Sequence, residues 1–305
     1  MTLSPVIGAA YLAAPGLEQP LLEELTRAGV LVERWHGRLA LTVAPPRATA
    51  WALDTWTAPT AHVIASVGAA AAILRGIQRN WASYGAAHHR RMALIEARLP
   101  PMRPRPLVFP AAPPASHLGA WTLLEPGLLL ASPTTTSPVP RGEWLFQEDH
   151  IGPPSRAYLK LYEALTRLGV RPEPGERCID LGASPGGWTF VLASLGANVL
   201  AVDRAPLDPR LTVPIRLESA FGLDPEPADW LFSDVIAYPA RLLALVRRWI
   251  DAGCVSRIVC SVKFQGATDH DTADAFAAIP GGSLTHLFHN KHELTFFWAR
   301  AQGRS

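Results

Sequence analysis

Cys178-Ile179-Asp180-Leu181-Gly182-Ala183-Ser184-Pro185-Gly186-Gly187-Trp188 reads as a strand, a glycine-rich turn and the opening of a helix. Glycines let the backbone come close to a ligand, and a helix N-terminus presents N–H groups that lack a partner. Twenty-one residues after Gly182, Asp203 ends the next apolar stretch. A carboxylate there accepts hydrogen bonds from a ribose diol. The pattern points to a site for an adenosine-bearing molecule.

Three readings of the turn compete. A dinucleotide site needs a middle glycine to admit the pyrophosphate, and Ser184 stands in its place. A cofactor without a pyrophosphate fits better, and S-adenosylmethionine is the common one. A hydrolase is the second reading, because Gly182-Ala183-Ser184-Pro185-Gly186 satisfies G-x-S-x-G. There the residue after the serine donates its N–H to the oxyanion, and Pro185 has none. Losing such a donor costs roughly 100- to 1,000-fold in rate. The third reading is a tight turn that holds nothing, although packing alone asks for fewer glycines.

Outward from the turn, strands alternate with helices, the mark of a mostly parallel sheet covered on both faces. Apolar spacing predicts helices over Arg156–Leu168, Gly186–Ser194, Pro239–Asp251 and Asp271–Ala278. Strands are predicted at Arg177–Leu181, Asn198–Asp203, Val213–Glu218, Trp230–Asp234, Arg257–Phe264, Ser283–His289 and Leu294–Ala299. Only Asn290-Lys291-His292-Glu293 separates the last two, so they should pair antiparallel. The expected fold is α/β, a Rossmann-like sheet of seven strands with one reversed, over residues 145–305.

Before it, residues 1–70 read as β-α-β-β-α-β, a small ferredoxin-like α+β domain. Its strands are expected at Val6–Ala13, Val30–Trp35, Arg38–Val43 and His62–Val67, and its helices at Leu17–Ala28 and Arg47–Trp56. Residues 71–144 read as a basic helical segment, with a helix over Ala69–Trp81, and then a linker. Eleven prolines fall between residues 100 and 140, with a hairpin expected in Gly119–Ala131.

Apolar residues make up 49% of the chain and charged residues 18%, which suits globular domains and not a disordered chain. No apolar run approaches the roughly 20 residues of a membrane-spanning helix. The N-terminal stretch lacks the basic flank of a secretory signal, and Cys178, Cys254 and Cys260 show no metal-ligand spacing. A cytoplasmic protein with reduced thiols and no membrane partner is expected. Net charge is only +2, yet seven arginines lie between Arg75 and Arg105 against the single acid Glu96. That run suits a phosphate backbone or a solvated helix face equally. Only Lys160, Lys263 and Lys291 among the 28 basic residues are lysines, so each marks a place where a compact ammonium is wanted.

Asp234 closes an apolar strand and points to the crevice that the turn faces, and Lys263 closes another. Ser155-Arg156-Ala157-Tyr158-Leu159-Lys160-Leu161, the Asp180–Trp188 turn, Asp234, Lys263 and Glu293 resemble the FtsJ-type ribose 2′-O-methyltransferases. Those enzymes carry a Lys-Asp-Lys-Glu tetrad in this order. Phe232-Ser233-Asp234-Val235-Ile236-Ala237-Tyr238-Pro239-Ala240-Arg241 and the Trp249–Gly253 segment resemble the RlmM branch, which methylates a cytidine of large-subunit ribosomal RNA. The resemblance runs from Ser132 to Ala299.

The resemblance implies S-adenosylmethionine as cofactor, held by Gly182, Ala183, Ser184, Pro185, Gly186, Gly187, Trp188, Asp203, Ser219 and Asp234. It implies Lys160, Asp234, Lys263 and Glu293 as catalytic residues and RNA, 23S ribosomal RNA or a ribosomal precursor, as partner. A ribose hydroxyl is a poor nucleophile, so it needs alignment and a proton acceptor. Lys263 would deprotonate or steer it, Asp234 would hold that lysine, and Lys160 and Glu293 would complete the network. An amine accepts a proton only when neutral, a form that burial and a second ammonium favour and carboxylates oppose. A charged, orienting Lys263 is the alternative. The sequence departs from the pattern twice. Ser219 stands where an acid often contacts adenine, and residues 69–131 are short and proline-rich for the THUMP domain of that branch. A methyltransferase for a small molecule or protein, and a non-catalytic RNA-binding relative, are the competing functions. His286, His289 and His292 do not read as metal ligands, because 286 and 289 fall on opposite faces of a strand.

Overall fold

Sheet order decides where the glycine-rich turn ends up. The computed structural model describes residues 6–115 and 117–301. The chain divides into one unit of Met1–Pro106 with Pro113–Leu145 and a second of Leu107–Ala112 with Phe146–Ser305.

The first unit opens with β1 (Ala9–Ala13), α1 (Glu18–Arg27), β2 (Arg34–His36), β3 (Leu39–Thr42) and β4 (Ala52–Trp56). They form an antiparallel sheet in the order β2-β3-β1-β4, the order of a ferredoxin-like sheet. The helix predicted over Arg47–Trp56 is absent. Glu24 on α1 takes the N–H groups of Ala50 and Trp51 at 2.6 and 3.1 Å, pinning an extended chain that continues into β4. Tertiary bonding overrides a weak helical spacing there.

A second sheet follows, built from β5 (Thr60–Val63), β6 (Trp81–Ser83), β7 (Gly119–Glu125) and β8 (Leu128–Ser132), in the order β5-β8-β7-β6. The strand predicted at His62–Val67 is β5, shifted towards the N-terminus and joined to this sheet instead of the first. Two helices, α2 (Val67–Ile77) and α3 (His89–Glu96), belong to the same part of the chain. The period-two alternation of β7 and β8 explains the layering. Trp121, Leu123, Leu129 and Ala131 join Ala70, Leu74, Met92 and Ile95 of the helices in one core. Ala120, Leu124 and Leu130 join Ala10, Leu12, Leu39 and Leu41 of the first sheet in another. The region 100–140, expected as a linker with a hairpin, thus supplies the two central strands of a sheet. Its prolines fall outside the strands, at 100–114, at 126 in the β7–β8 turn, and at 133–140.

The second unit contains α4 (Tyr158–Leu168), β9 (Arg177–Leu181), α5 (Gly187–Ser194), β10 (Asn198–Asp203), β11 (Ile215–Leu217), β12 (Ala228–Ser233), α6 (Pro239–Asp251), β13 (Val255–Lys263), α7 (His270–Ala277), β14 (Gly282–Thr285) and β15 (Glu293–Ala299). The sheet runs β11-β10-β9-β12-β13-β15-β14, with β15 antiparallel to both neighbours. This is the Rossmann-like sheet of a class I methyltransferase, one strand reversed. The predicted strand at Ser283–His289 is shorter, ending at Thr285, because residues 286–289 turn towards α4. Long apolar runs make β12 and β13 central, buried on both faces. Among the described residues no helix is long and apolar enough to cross a membrane.

Candidate active site

β9 and β10 bring the glycine-rich turn and Asp203 together. Gly182 has φ +76°, and a Cβ on it would lie 2.8 Å from Val235 Cα, so only glycine fits. The N–H groups of Ser184 and Ala205 both donate to the Asp203 carboxylate at 3.0 Å. A cavity of about 310 Å³ opens at the turn, lined by Asp180, Gly182–Pro185, Gly187, Trp188, Asp203, Asp234 and Lys263. Next to it a cavity of about 230 Å³ shares Gly182, Asp203, Val235 and Ile236 and adds Ser219, Phe221 and Arg241. Of the residues expected to hold a cofactor, Gly186 lines neither cavity. It sits at φ +114° before α5, and Leu211 packs against it.

Asp180 is fully buried beneath the turn. Thr189 Oγ1 donates to its Oδ2 at 2.6 Å, while Oδ1 has no partner in the protein. Burial raises its carboxyl to about 7, Asp234 and Asp203 add to the rise, and the Thr189 bond opposes it. Ser184 directs its hydroxyl to the Pro206 carbonyl at 2.9 Å, so no base activates it and the hydrolase reading gains no support.

At the other end of the larger cavity the four tetrad residues meet. Lys160 Nζ donates to Asp234 Oδ1 and Oδ2 at 2.6 and 2.8 Å and pairs with Glu293 Oε1 at 3.2 Å. Lys263 Nζ pairs with Asp234 Oδ1 at 3.0 Å and donates to the Asp234 carbonyl. Strand register contributes directly, because Lys263 on β13 is the partner of Glu293 on β15. Burial alone would raise the Asp234 carboxyl. The ammonium charges of Lys160 and Lys263 overcome this and hold it below the usual carboxylate range. An ammonium has three donors. Those of Lys160 are all engaged, whereas Lys263 has two acceptors and also lines the cavity.

Two groups of residues escaped the sequence reading. Ser155, Ala157, Val235 and Ile236 line the larger cavity, and Ile236 is 78% exposed at its rim. Glu163, one helical turn beyond Lys160, is fully buried and accepts the N–H groups of Phe288 and His289 at 2.8 and 3.0 Å. It also meets His289 Nδ1 at 2.8 Å and Arg167 at 3.2 Å, and Arg167 bonds the His286 carbonyl at 3.0 Å. His286 Nδ1 lies 3.0 Å from the Glu293 carbonyl, and burial lowers its pKa to about 4. These histidines serve the turn before Glu293, and among the described residues no group of three acids, histidines or cysteines is placed to hold a metal. The Arg75–Arg105 run belongs to the first unit.

Residues 153–235 match the FtsJ-like methyltransferase family. The chain is 35% identical over 165 residues to a ribosomal RNA large subunit methyltransferase M from Halorhodospira halophila, covering 50% of this chain and 49% of that one. It is 34% identical over 169 residues to the protein of that name from Alkalilimnicola ehrlichii, covering 49% and 47%. The matched stretch thus spans about half the length of these curated relatives. The chain carries an FtsJ-like methyltransferase domain and is related, over that half, to the large-subunit ribosomal RNA methyltransferases of the RlmM family.

Proposed function

We propose that this protein is an S-adenosylmethionine-dependent ribose 2′-O-methyltransferase acting on large-subunit ribosomal RNA. The observation that carries the proposal is the meeting of Lys160, Asp234, Lys263 and Glu293 beside the cavity at the glycine-rich turn, with one ammonium facing in. Relatives named for the large ribosomal subunit supply the substrate class.

The residues present fit the cofactor. Asp180 Oδ1, buried and unpartnered at the cavity wall, suits the ammonium of an amino acid. Asp203 retains lone pairs for a ribose diol after accepting its two backbone N–H groups. Ser219, Phe221 and Ile236 offer a half-apolar slot for adenine. Bound S-adenosylmethionine supplies an electrophilic methyl group on a sulfonium.

The protein's own part is alignment and proton handling. Asp234, kept ionised, fixes both lysines. Lys160 is locked between Asp234 and Glu293 and holds the two carboxylates in place. Lys263, an ammonium in the resting cluster, has a direction left open to the cavity; it releases one proton to solvent and, as the neutral amine, takes the 2′-hydroxyl proton as the oxygen attacks. Two ammonium and two carboxylate groups sum to zero, so the cluster holds together without excess charge.

The test uses methyl-labelled S-adenosylmethionine, RNA from cells lacking the gene, and wild-type protein beside Lys263→Ala. The RNA is then digested to nucleosides. Label in a 2′-O-methyl nucleoside is expected with the wild type, reduced by roughly 100- to 10,000-fold in the variant. Label on a base, or equal labelling by both proteins, would overturn the mechanism. Label only on protein or small molecules would overturn the substrate.

A further inference from the structure

Two of the three lysines of the chain stand in the tetrad, and the third adjoins it through its backbone. Lys160 and Lys263 belong to the tetrad, and the backbone N–H of Lys291 donates to Glu293 Oε1 at 3.3 Å. That same oxygen meets Lys160 Nζ at 3.2 Å. Every other cation among the 28 basic residues is an arginine. A third lysine here is therefore an observation separate from the tetrad itself.

Lys291 differs from the other two in being exposed, and its ammonium has no acidic partner among the described residues. Its backbone is nonetheless firmly held. Asn290 Nδ2 donates to the Glu293 carbonyl at 3.2 Å and to Thr295 Oγ1 at 3.1 Å. His292 Nε2 lies 2.8 Å from Thr268 Oγ1, and the His292 carbonyl accepts from Phe264 N at 3.1 Å. Glu163 holds the start of the same turn. A free cation on a fixed turn is ready to meet an anion without ordering its backbone first.

The chemistry of the proposed substrate says which anion. In a polynucleotide the carbon bearing the 2′-hydroxyl adjoins the carbon whose oxygen carries the phosphodiester. Any centre that acts on an internal 2′-hydroxyl therefore works beside a phosphate charge. The tetrad sums to zero and offers that charge nothing. We infer that Lys291 is a substrate-positioning residue that binds the phosphodiester next to the methylated ribose, an assignment that rests on the ribose reading above. The site would then take a nucleotide within a chain in preference to a free nucleoside, which lacks that phosphate.

Steady-state kinetics of the full chain on unmodified large-subunit RNA, at low and high salt, test this. Lys291→Ala is expected to raise the KM for RNA about tenfold at low salt, the worth of one charge-assisted bond, with kcat within about twofold. The slope of log KM against log salt should become shallower by roughly 0.7, one single-stranded phosphate contact. Lys291→Arg should recover most of the affinity. An unchanged KM for S-adenosylmethionine reports an intact fold. An unchanged KM and slope for RNA would overturn the assignment, as would a KM rise equal at both salts, which is the mark of packing. A fall in kcat at constant KM would overturn it too, by placing the effect on Glu293. Wild-type protein that labels no RNA would defeat the ribose reading itself, a result distinct from a silent variant.

Discussion

At the scale of single residues, the orphaned carboxylate beneath the glycine-rich turn has consequences for stability. Asp180 is raised from an ordinary 3.8 to about 7 when folded, so the folded protein binds more protons than the unfolded one between those values. Its contribution is fully present below the unfolded value and is lost as pH rises through the folded one. Asp54, buried in the first unit and bonded by Ser137 N at 2.9 Å, is raised to about 7 as well and acts with the same sign. Without cofactor, the melting temperature should fall from about pH 4 to about pH 7, and Asp180→Asn should flatten that fall. The stabilisation given by S-adenosylmethionine should grow over the same range in the wild type, because an ionised Asp180 suits an ammonium, and stay flat in Asp180→Asn. Thermal melts with and without cofactor check both, and identical pH profiles for the two proteins would exclude the role given to Asp180. The acid itself was visible in the sequence as the start of the turn. Its missing partner was not, since burial is a property of the packed chain.

At the scale of elements, α4 organises the site. Lys160 and Glu163 lie one turn apart on it, where they occupy neighbouring positions on the helix surface. One reaches Asp234 and Glu293, and the other grips the turn that leads into β15. The helix thereby holds two sequence-distant segments in register. Glu163→Ala would leave two backbone N–H groups and a guanidinium without their buried acceptor. A loss of about 3 kcal/mol is expected, read from the urea midpoint, together with a lower kcat at unchanged KM for S-adenosylmethionine. Wild-type stability in this variant would show that the clamp is dispensable. Helical spacing predicted α4 from Arg156 to Leu168, the helix forms from Tyr158 to Leu168, and Gly169 after it adopts the left-handed conformation expected of a C-cap. The failure at Arg47–Trp56 has the opposite cause. A short apolar spacing fits either a helix or a buried strand, and the Glu24 carboxylate settled it for the strand.

At the scale of the molecule, the arginine run of the first unit exposes Arg79, Arg90, Arg103 and Arg105, and the proposed RNA substrate predicts a role for them. Replacing these four with glutamine should weaken RNA binding at low salt and lower the salt slope by up to roughly 3, at about 0.7 per contact. Affinity for S-adenosylmethionine should not change. Filter binding across a salt series decides, and an unaltered slope would make the arginines a solvated face. The sequence by itself determined the alternating strands and helices of the second unit, the tight glycine-rich turn between β9 and α5, the reversal of the last strand and the scarcity of lysine. All of these are local, because periodicity records which faces are buried and glycine records where the backbone must bend. Only the tertiary structure decided that the proline-rich stretch contributes central strands. Only it could show that residues 160, 234, 263 and 293 meet within hydrogen-bonding distance and that Lys291 shares an oxygen with them. Those contacts follow from strand order and register, with Lys263 opposite Glu293, and no spacing along a single segment encodes which strand will lie beside which.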